Sequence, residues 1–311
     1  HSWTFDAPSG VYKNHDMSMN MRQAAIADCV FLEYARPEGN YGAGKGESVT
    51  ITRVANIAEP TSPYLDELQE IPEDEITLST HAITVREIGR SVPYTSLANQ
   101  LSEFNIESPI QKALMRQLRL TLDTMVANAF QACQVKYTPT GVSSSTITTN
   151  GSFSTSATSN LTIYHLEEIR DYLYDTLKCE PYEGGDWVGI FRTKAIRGIK
   201  RDPDYEEWHK YTNPSAKFNS EVGRWERVRL VETNHSNALA EVGTSSVLGE
   251  GVVFGDDCMA MAEAVSPHLI ASTGDKFGRN KAVAWYGVLE FGEVWPTSNS
   301  GEAKIIHVGS T

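Results

Sequence analysis

Two runs of alternating β-branched and polar residues bracket a proline-stiffened acidic stretch, and this arrangement restricts the chain more than any other feature. Residues 47–57 (ESVTITRVANI) and 75–92 (EITLSTHAITVREIGRSV) alternate with a period of two, which predicts two long strands, with a phase slip near Ala82 and Ile83 that suggests a bulge. Between them Pro60, Pro63 and Pro72 stiffen a segment carrying Asp66, Glu67, Glu70, Glu73, Asp74 and Glu75, so the pair forms a hairpin with an acidic tip. A two-stranded hairpin is marginal alone in water, so it must lie on something, and a neighbouring subunit is the natural support. The apolar tip residues Tyr64, Leu65, Leu68 and Ile71 are expected to be buried only by that neighbour, with Arg53, Arg86 and Arg90 as further intersubunit contacts.

The remaining segments divide into helical and extended patterns. Ahead of Met19 the chain is polar and punctuated by Gly and Pro, an arm that must borrow order from a surface. Residues 21–34 suggest one short helix, stopped by Pro37 and Gly39. Ser108-Pro109 opens the best helix, a cap residue followed by proline at the first helical position. Its apolar stripe of Ile110, Leu114, Leu118, Leu122, Met125, Ala129 and Cys133 carries it to about residue 134, a structural spine. Residues 138–162, rich in Ser and Thr, read as an exposed loop or β-excursion, and 161–177 return to helical period. A short strand at 187–191 and a basic helix at 193–200 indicate a mixed α/β region. Segments 218–234, 251–254, 281–295 and 303–308 read as strands of one sheet, the third buried on both faces.

Composition excludes several classes. With 311 residues, 40% hydrophobic and 22% charged, the chain suits a globular protein of about two domains rather than a collagen-like or disordered one. Its longest apolar runs fall well short of the ~20 residues of a spanning helix and no signal-peptide pattern opens it, so a soluble protein with no membrane partner is expected. A net charge of −13 repels phosphate polymers, which disfavours general nucleic-acid binding. Cys29, Cys133, Cys179 and Cys258 lie far apart with no CxxC pair, as in a reducing cytosol.

Catalytic signals are weak. Residues 39–45 (GNYGAGK) satisfy the Gly and Lys positions of a phosphate loop, but Gly46 replaces the required hydroxyl and a strand, not a helix, is expected to follow. None of the eight histidines has metal-ligand spacing, and there is no G-x-S-x-G elbow. The 66–75 carboxylates form a solvated or calcium-tolerant face, and the basic helix bearing Lys194, Arg197, Lys200 and Arg201 is a solvated face or, less commonly, an inward patch for DNA or acidic partners. No catalytic, cofactor-binding or metal residue is expected.

The order of elements, with Gly44-Lys45-Gly46 running into VTITRVANIAE, IPEDEITLSTHAITVREIGRSVPYT from Ile71, SPIQKAL from Ser108, FNSEVGRWERVRLVETN from Phe218 and KAVAWYGVLEF from Lys281, resembles the major capsid proteins of tailed phages with the Hong Kong 97-like fold, and more narrowly the coat proteins of N-four-type podophages. The resemblance covers nearly the whole chain. It implies an α+β coat fold: an N-terminal arm and short helix over 1–37, an E-loop hairpin over 38–94, a peripheral domain with the spine helix over 95–160, and an axial domain over 161–311 whose late strands return to the peripheral sheet. It further implies self-assembly into hexamers, pentamers and an icosahedral shell in the virion, built in the host bacterial cytoplasm. Implied partners are a portal, scaffolding or decoration proteins, and packaged double-stranded DNA bound without sequence specificity. No Lys occurs between Lys45 and Lys112, so lysine crosslinking from the hairpin is not expected. An encapsulin-like nanocompartment and a soluble α/β enzyme are the rival readings.

Overall fold

The computed structural model describes residues 25–39, 41–42, 44, 46–67, 69–101, 107–154, 157–182, 184–210, 221–242, 248–272 and 279–309. In chain order the strands and helices are β1 (Arg36–Pro37), β2 (Ser48–Val54), β3 (Leu78–Thr84), β4 (Arg86–Thr95), α1 (Ser96–Leu101), α2 (Glu107–Gln131), β5 (Val135–Gly141), β6 (Ser144–Thr148), α3 (Ile163–Asp171), β7 (Trp187–Arg192), α4 (Ile196–Lys200), α5 (Pro203–Lys210), β8 (Glu221–Trp225), β9 (Val228–Thr233), β10 (Glu241–Val242), β11 (Leu248–Gly249), β12 (Gly251–Phe254), β13 (Met259–Ala271), β14 (Asn280–Glu293) and β15 (Ile305–Val308).

Two sheets organise the body. The larger has seven strands in the order β6-β5-β15-β12-β7-β9-β8, and the smaller four in the order β1-β13-β14-β4. The central strands of the large sheet read WVGIF, GVVF and IIHV without alternation because both faces are covered, and all of those residues are buried. On one face lie Leu166, Ile169 and Leu173 of α3 and its π-helical continuation with Ile196 and Ile199 of α4, packed on Trp187, Phe191, Val253 and Ile306. Close approach demands glycine there: a Cβ on Gly251 would fall 2.1 Å from the Phe191 ring. On the other face lie Val126, Ala127 and Phe130 of α2.

The α2 helix joins the two sheets. At 1.5 Å per residue its 25 residues extend about 37 Å. Leu114 and Leu118 in its first half pack on Val283 and Trp285 of the small sheet, and Phe130 in its second half packs on Phe254 of the large one at 4.5 Å between ring centroids. The expected spine is therefore present, with its buried line along Leu114, Leu118, Val126 and Phe130, while Met125 and Ala129 are only partly buried.

Several expectations need correction. Residues 25–31 are not helical: the Asp28 and Phe31 N–H groups donate to Asn234 Oδ1 and Asp123 Oδ1, each at 2.8 Å, and only Leu32–Tyr34 makes a 3₁₀ turn. Residues 21–24 and 218–220 lie outside the described residues. The late strands do not form one sheet, since β14 belongs to the small sheet and β8, β9, β12 and β15 to the large one. One face of β14 is buried and the other only half-buried, not both buried. The interruption near Ala82 is a change of sheet at Val85, between β3 and β4, rather than a bulge. Residues 259–271 form the longest strand after β14, which alternation in the sequence does not mark because Ala, Met and Pro267 dilute the pattern; two register shifts beside β14 accommodate them.

Candidate assembly surfaces

The hairpin is built as its sequence requires and left uncovered where its sequence is apolar. β2 and β3 pair antiparallel from Ser48↔Thr84 to Val54↔Leu78, a separate two-stranded sheet. Alternation places Val49, Ile51, Arg53, His81 and Ile83 on the inward face. Ile83 seats against Ala260, Ala262 and Val294, and a Cβ on Gly292 would lie 2.7 Å from its Cγ1. Past Val54 the chain leaves its partner: residues 55–67 and 69–77 contain no strand or helix. Tyr64 is 86% exposed, Ile71 77% and Leu65 49%, while Leu68 lies outside the described residues. Val54, Ile57, Ile76 and Leu78, all more than half exposed, extend the apolar set.

The three arginines separate. Arg86 is exposed and makes a 3.6 Å ion pair with Glu290, an arrangement worth little in water. Arg90 is exposed on β4. Arg53 departs from the expectation of an outward contact: it is buried within its own chain, its guanidinium 5.4 Å from the Trp295 ring centroid. Inward alternation on β2 dictates this position, and that periodicity already placed it on the face of Val49 and Ile51.

The segment after residue 24 is pinned by a buried constellation that sequence reading missed. Asp123 of α2 is fully buried; its Oδ1 accepts the Phe31 N–H and its Oδ2 lies 2.8 Å from His235 Nδ1. Thr124 Oγ1 stands 3.4 Å from His235 Nε2. The trio has the composition of a hydroxyl–imidazole–carboxylate relay, yet the Thr124 hydroxyl donates to Leu120 O at 2.9 Å and His235 is 3% exposed, so the imidazole is closed to solvent. Its work is structural: Asp123 holds the Phe31 backbone, Thr233 Oγ1 donates to Asp28 O, and the Phe31 ring meets Phe130 at 5.7 Å. No motif spacing links residues 31, 123 and 235, so only the fold brings them together.

Other chemical candidates resolve as structure. The glycine loop feeds β2 directly, with Gly44 and Gly46 at φ 84° and 98°, and Lys45 lies outside the described residues. Lys194 pairs with Glu241 at 2.7 Å and Lys200 with Glu232 at 2.5 Å, so much of the basic helix is neutralised by its own chain. Among the described residues no three His, Cys, Asp or Glu side chains gather as a metal site, and no helix is long and apolar enough to cross a membrane. Burial pushes the Cys133 and Cys179 thiols up to about 12, which leaves them unreactive near neutral pH. A cavity of about 430 Å³ lies between Tyr34, Arg36, Tyr182, Asp186, Val188, Arg229 and Asp256, where Arg36 already pairs with Asp256 at 2.5 Å.

No protein-family model and no curated protein matches this chain. Solved structures do. The head structure of Helicobacter pylori bacteriophage KHP40 superposes with a TM-score of 0.73 at 9% identity, covering 100% of this chain and 98% of that one. The capsid asymmetric unit of cyanophage Pam1 gives 0.72 at 12% identity with 99% of both chains covered, and the capsid of Ralstonia phage GP4 gives 0.69 at 9% identity, covering 99% and 98%. Similarity at such identities, extending end to end, is similarity of fold, and the chain therefore has the Hong Kong 97-like coat fold that its sequence resemblance implied.

Proposed function

We propose that this chain is the major capsid protein of a tailed phage, a non-enzymatic subunit that assembles with copies of itself into hexamers, pentamers and a closed icosahedral shell around double-stranded DNA. The observation that carries this reading is the coincidence of an end-to-end capsid fold with a hairpin whose apolar tip is left in water by its own chain. In the proposed division, residues 1–37 are the N-terminal arm, 38–94 the E-loop, 95–160 the peripheral domain and 161–311 the axial domain. The chain would reside in the virion after assembly in the host cytoplasm, meeting a portal and scaffolding or decoration proteins there.

Physical features support the assembly reading. Tyr64, Leu65 and Ile71 are the kind of apolar residues that a neighbouring copy buries, and with Leu68 they form the proposed contact, while Arg86 and Arg90 line the adjoining β4 edge. A net charge of −13 keeps spooled DNA from adhering to the wall. Closed symmetry multiplies individually modest contacts. Sedimentation velocity on the purified chain is the test: a capsid subunit gives capsomer or shell species that appear with increasing concentration, whereas a monomer at every concentration refutes the proposal.

A further inference from the structure

The small sheet divides the charge of the chain between its two sides. The hairpin occupies one side: Ile83 seats against Ala260 and Ala262, and a Cβ on Gly292 would lie 2.7 Å from it. Residues 54–85 of that hairpin carry seven carboxylates and no Lys or Arg. On the same side of the sheet Glu87 accepts a hydrogen bond from the Tyr286 hydroxyl at 2.9 Å, and Glu290 stands 3.6 Å from Arg86. The alternate residues of β14, Val283, Trp285, Leu289 and Phe291, are buried on the other side, under α2.

Cations gather on the α2 side. Leu114 and Leu118 seat the helix on Val283 and Trp285, so Lys112, Arg116 and Arg119, four and three residues apart, form a ridge on the face turned away from the sheet. Lys112 and Arg119 are exposed and Arg116 is half-buried. Directly paired residues on neighbouring strands share a face, which adds Arg90 opposite Trp285 and Lys281 opposite Tyr94. Trp285 Nε1 donates to Gln117 Oε1 at 3.2 Å, so Arg90 lies abreast of the ridge. Among the described residues Lys112, Arg119, Arg90 and Lys281 make no ion pair. Opposing these cations are Glu107 in the first turn of α2, Glu263 opposite Leu289, and Asp28, whose charge acts with that of Arg119 on the Cys29 thiol. Asp123, the other carboxylate of α2, is buried against His235.

We propose that the α2 side of the small sheet is the inner wall of the shell and that its ridge takes the phosphate backbone of the packaged duplex without reading its sequence. The proposal rests on the shell reading. Every symmetry rotation of a closed shell passes through its centre and keeps inside and outside apart, so the hairpins of all copies lie on the side of their seats, away from the ridge. What faces α2 is then the content of the shell. A duplex with one negative charge per ~1.7 Å of axis complements a row of cations, and sequence-independent binding follows from charge alone. The net charge of −13 repels DNA over the rest of the surface, which confines contact to the ridge and its flanking Arg90 and Lys281.

Fluorescence anisotropy of a labelled mixed-sequence duplex of about 30 base pairs, titrated with the dissociated full chain between about 50 and 200 mM salt, counts the phosphates neutralised. Four to five contacts give log Kobs a slope of about −4 against log salt. Lys112→Gln with Arg119→Gln should cut that slope by about two and weaken binding roughly 10²-fold at about 50 mM salt. Arg197→Gln with Arg201→Gln removes the same charge from exposed positions at α4 and should leave the slope in place. No binding by the parent chain, or an equal loss in the two double variants, overturns the proposal. Closed shells assembled without DNA test the side: they should not bind duplex added outside, and binding there that depends on Lys112 and Arg119 overturns the assignment. Lys112→Gln with Arg119→Gln should also assemble as the parent does in light scattering, whereas lost assembly would give the ridge to a neighbour's acidic hairpin instead. A parent chain that builds no shell counts against the shell reading itself; normal shells with a duplex indifferent to the ridge count against this proposal alone.

Discussion

Replacing Tyr64, Leu65 and Ile71 together by serine separates folding from assembly. These residues are 86%, 49% and 77% exposed in the single chain, so what their own chain buries amounts to about one side chain, over half of it Leu65's, and folding stability should fall by no more than ~1.5–3 kcal/mol. Against a neighbour the account is different. The exposed fractions amount to about two whole side chains, and at ~1.5–3 kcal/mol per buried large apolar side chain each hairpin contact should lose ~3–6 kcal/mol. At about 1.4 kcal/mol per tenfold, the association constant of each contact should fall ~10²- to 10⁴-fold. Shell closure multiplies that deficit over every subunit, so closed particles should be absent at concentrations where the parent chain forms them. Urea unfolding of the dissociated chain measures the first quantity, and light scattering against concentration measures the second. A folding loss larger than that bound, or shell formation at the parent's concentration, would refute the argument that the tip is an intersubunit element.

Three further outcomes follow from the interior. Asp123→Ala leaves the Phe31 N–H and His235 Nδ1 without their acceptor; at ~1–3 kcal/mol per buried orphan the chain should lose ~2–6 kcal/mol in urea unfolding, with new proteolytic cleavage in 25–35. The β8–β9 turn holds Glu226 and Arg227 at φ 40° and 68°; Arg227 is retained by its place 5.0 Å from the Trp187 ring centroid and its bond to Gly185 O, whereas Glu226→Asn should stabilise the chain by about 0.5 kcal/mol, read as a higher Tm. His307 is held neutral, its folded value near 3 lying below the ordinary 6.5. The unfolded chain thus binds the extra proton first, so this contribution is present above about pH 6.5 and is lost as pH falls towards about 3. His307→Gln should flatten that part of the acid unfolding profile.

Legibility in the sequence followed the kind of interaction that determined each element. Segments fixed by local alternation or local capping were readable: β2, β7, β12 and β15 lie where apolar runs place them, and α2 begins beside Ser108-Pro109. Segments fixed by distant partners were not. Residues 25–31 carry a helical apolar spacing, but the Asp28 and Phe31 N–H groups are taken by Asn234 and Asp123, more than ninety residues away. β13 is poor in β-branched residues and becomes a strand by pairing with β14. The same division holds at the assembly surface. The exposed apolar tip was visible as a hairpin longer than its own support, and the inward side of Arg53 follows from the same alternation as Val49 and Ile51, whereas its partner Trp295 lies 242 positions later in the chain.

Cryo-electron microscopy of the purified, full-length chain incubated under assembly conditions tests the central claim most directly. The account predicts closed shells with hexameric and pentameric capsomers, in which the tip containing Tyr64 and Ile71 is covered by an adjacent copy and each subunit has the two-sheet body joined by α2. Isolated monomers, or ordered particles in which that tip remains in solvent, would contradict it.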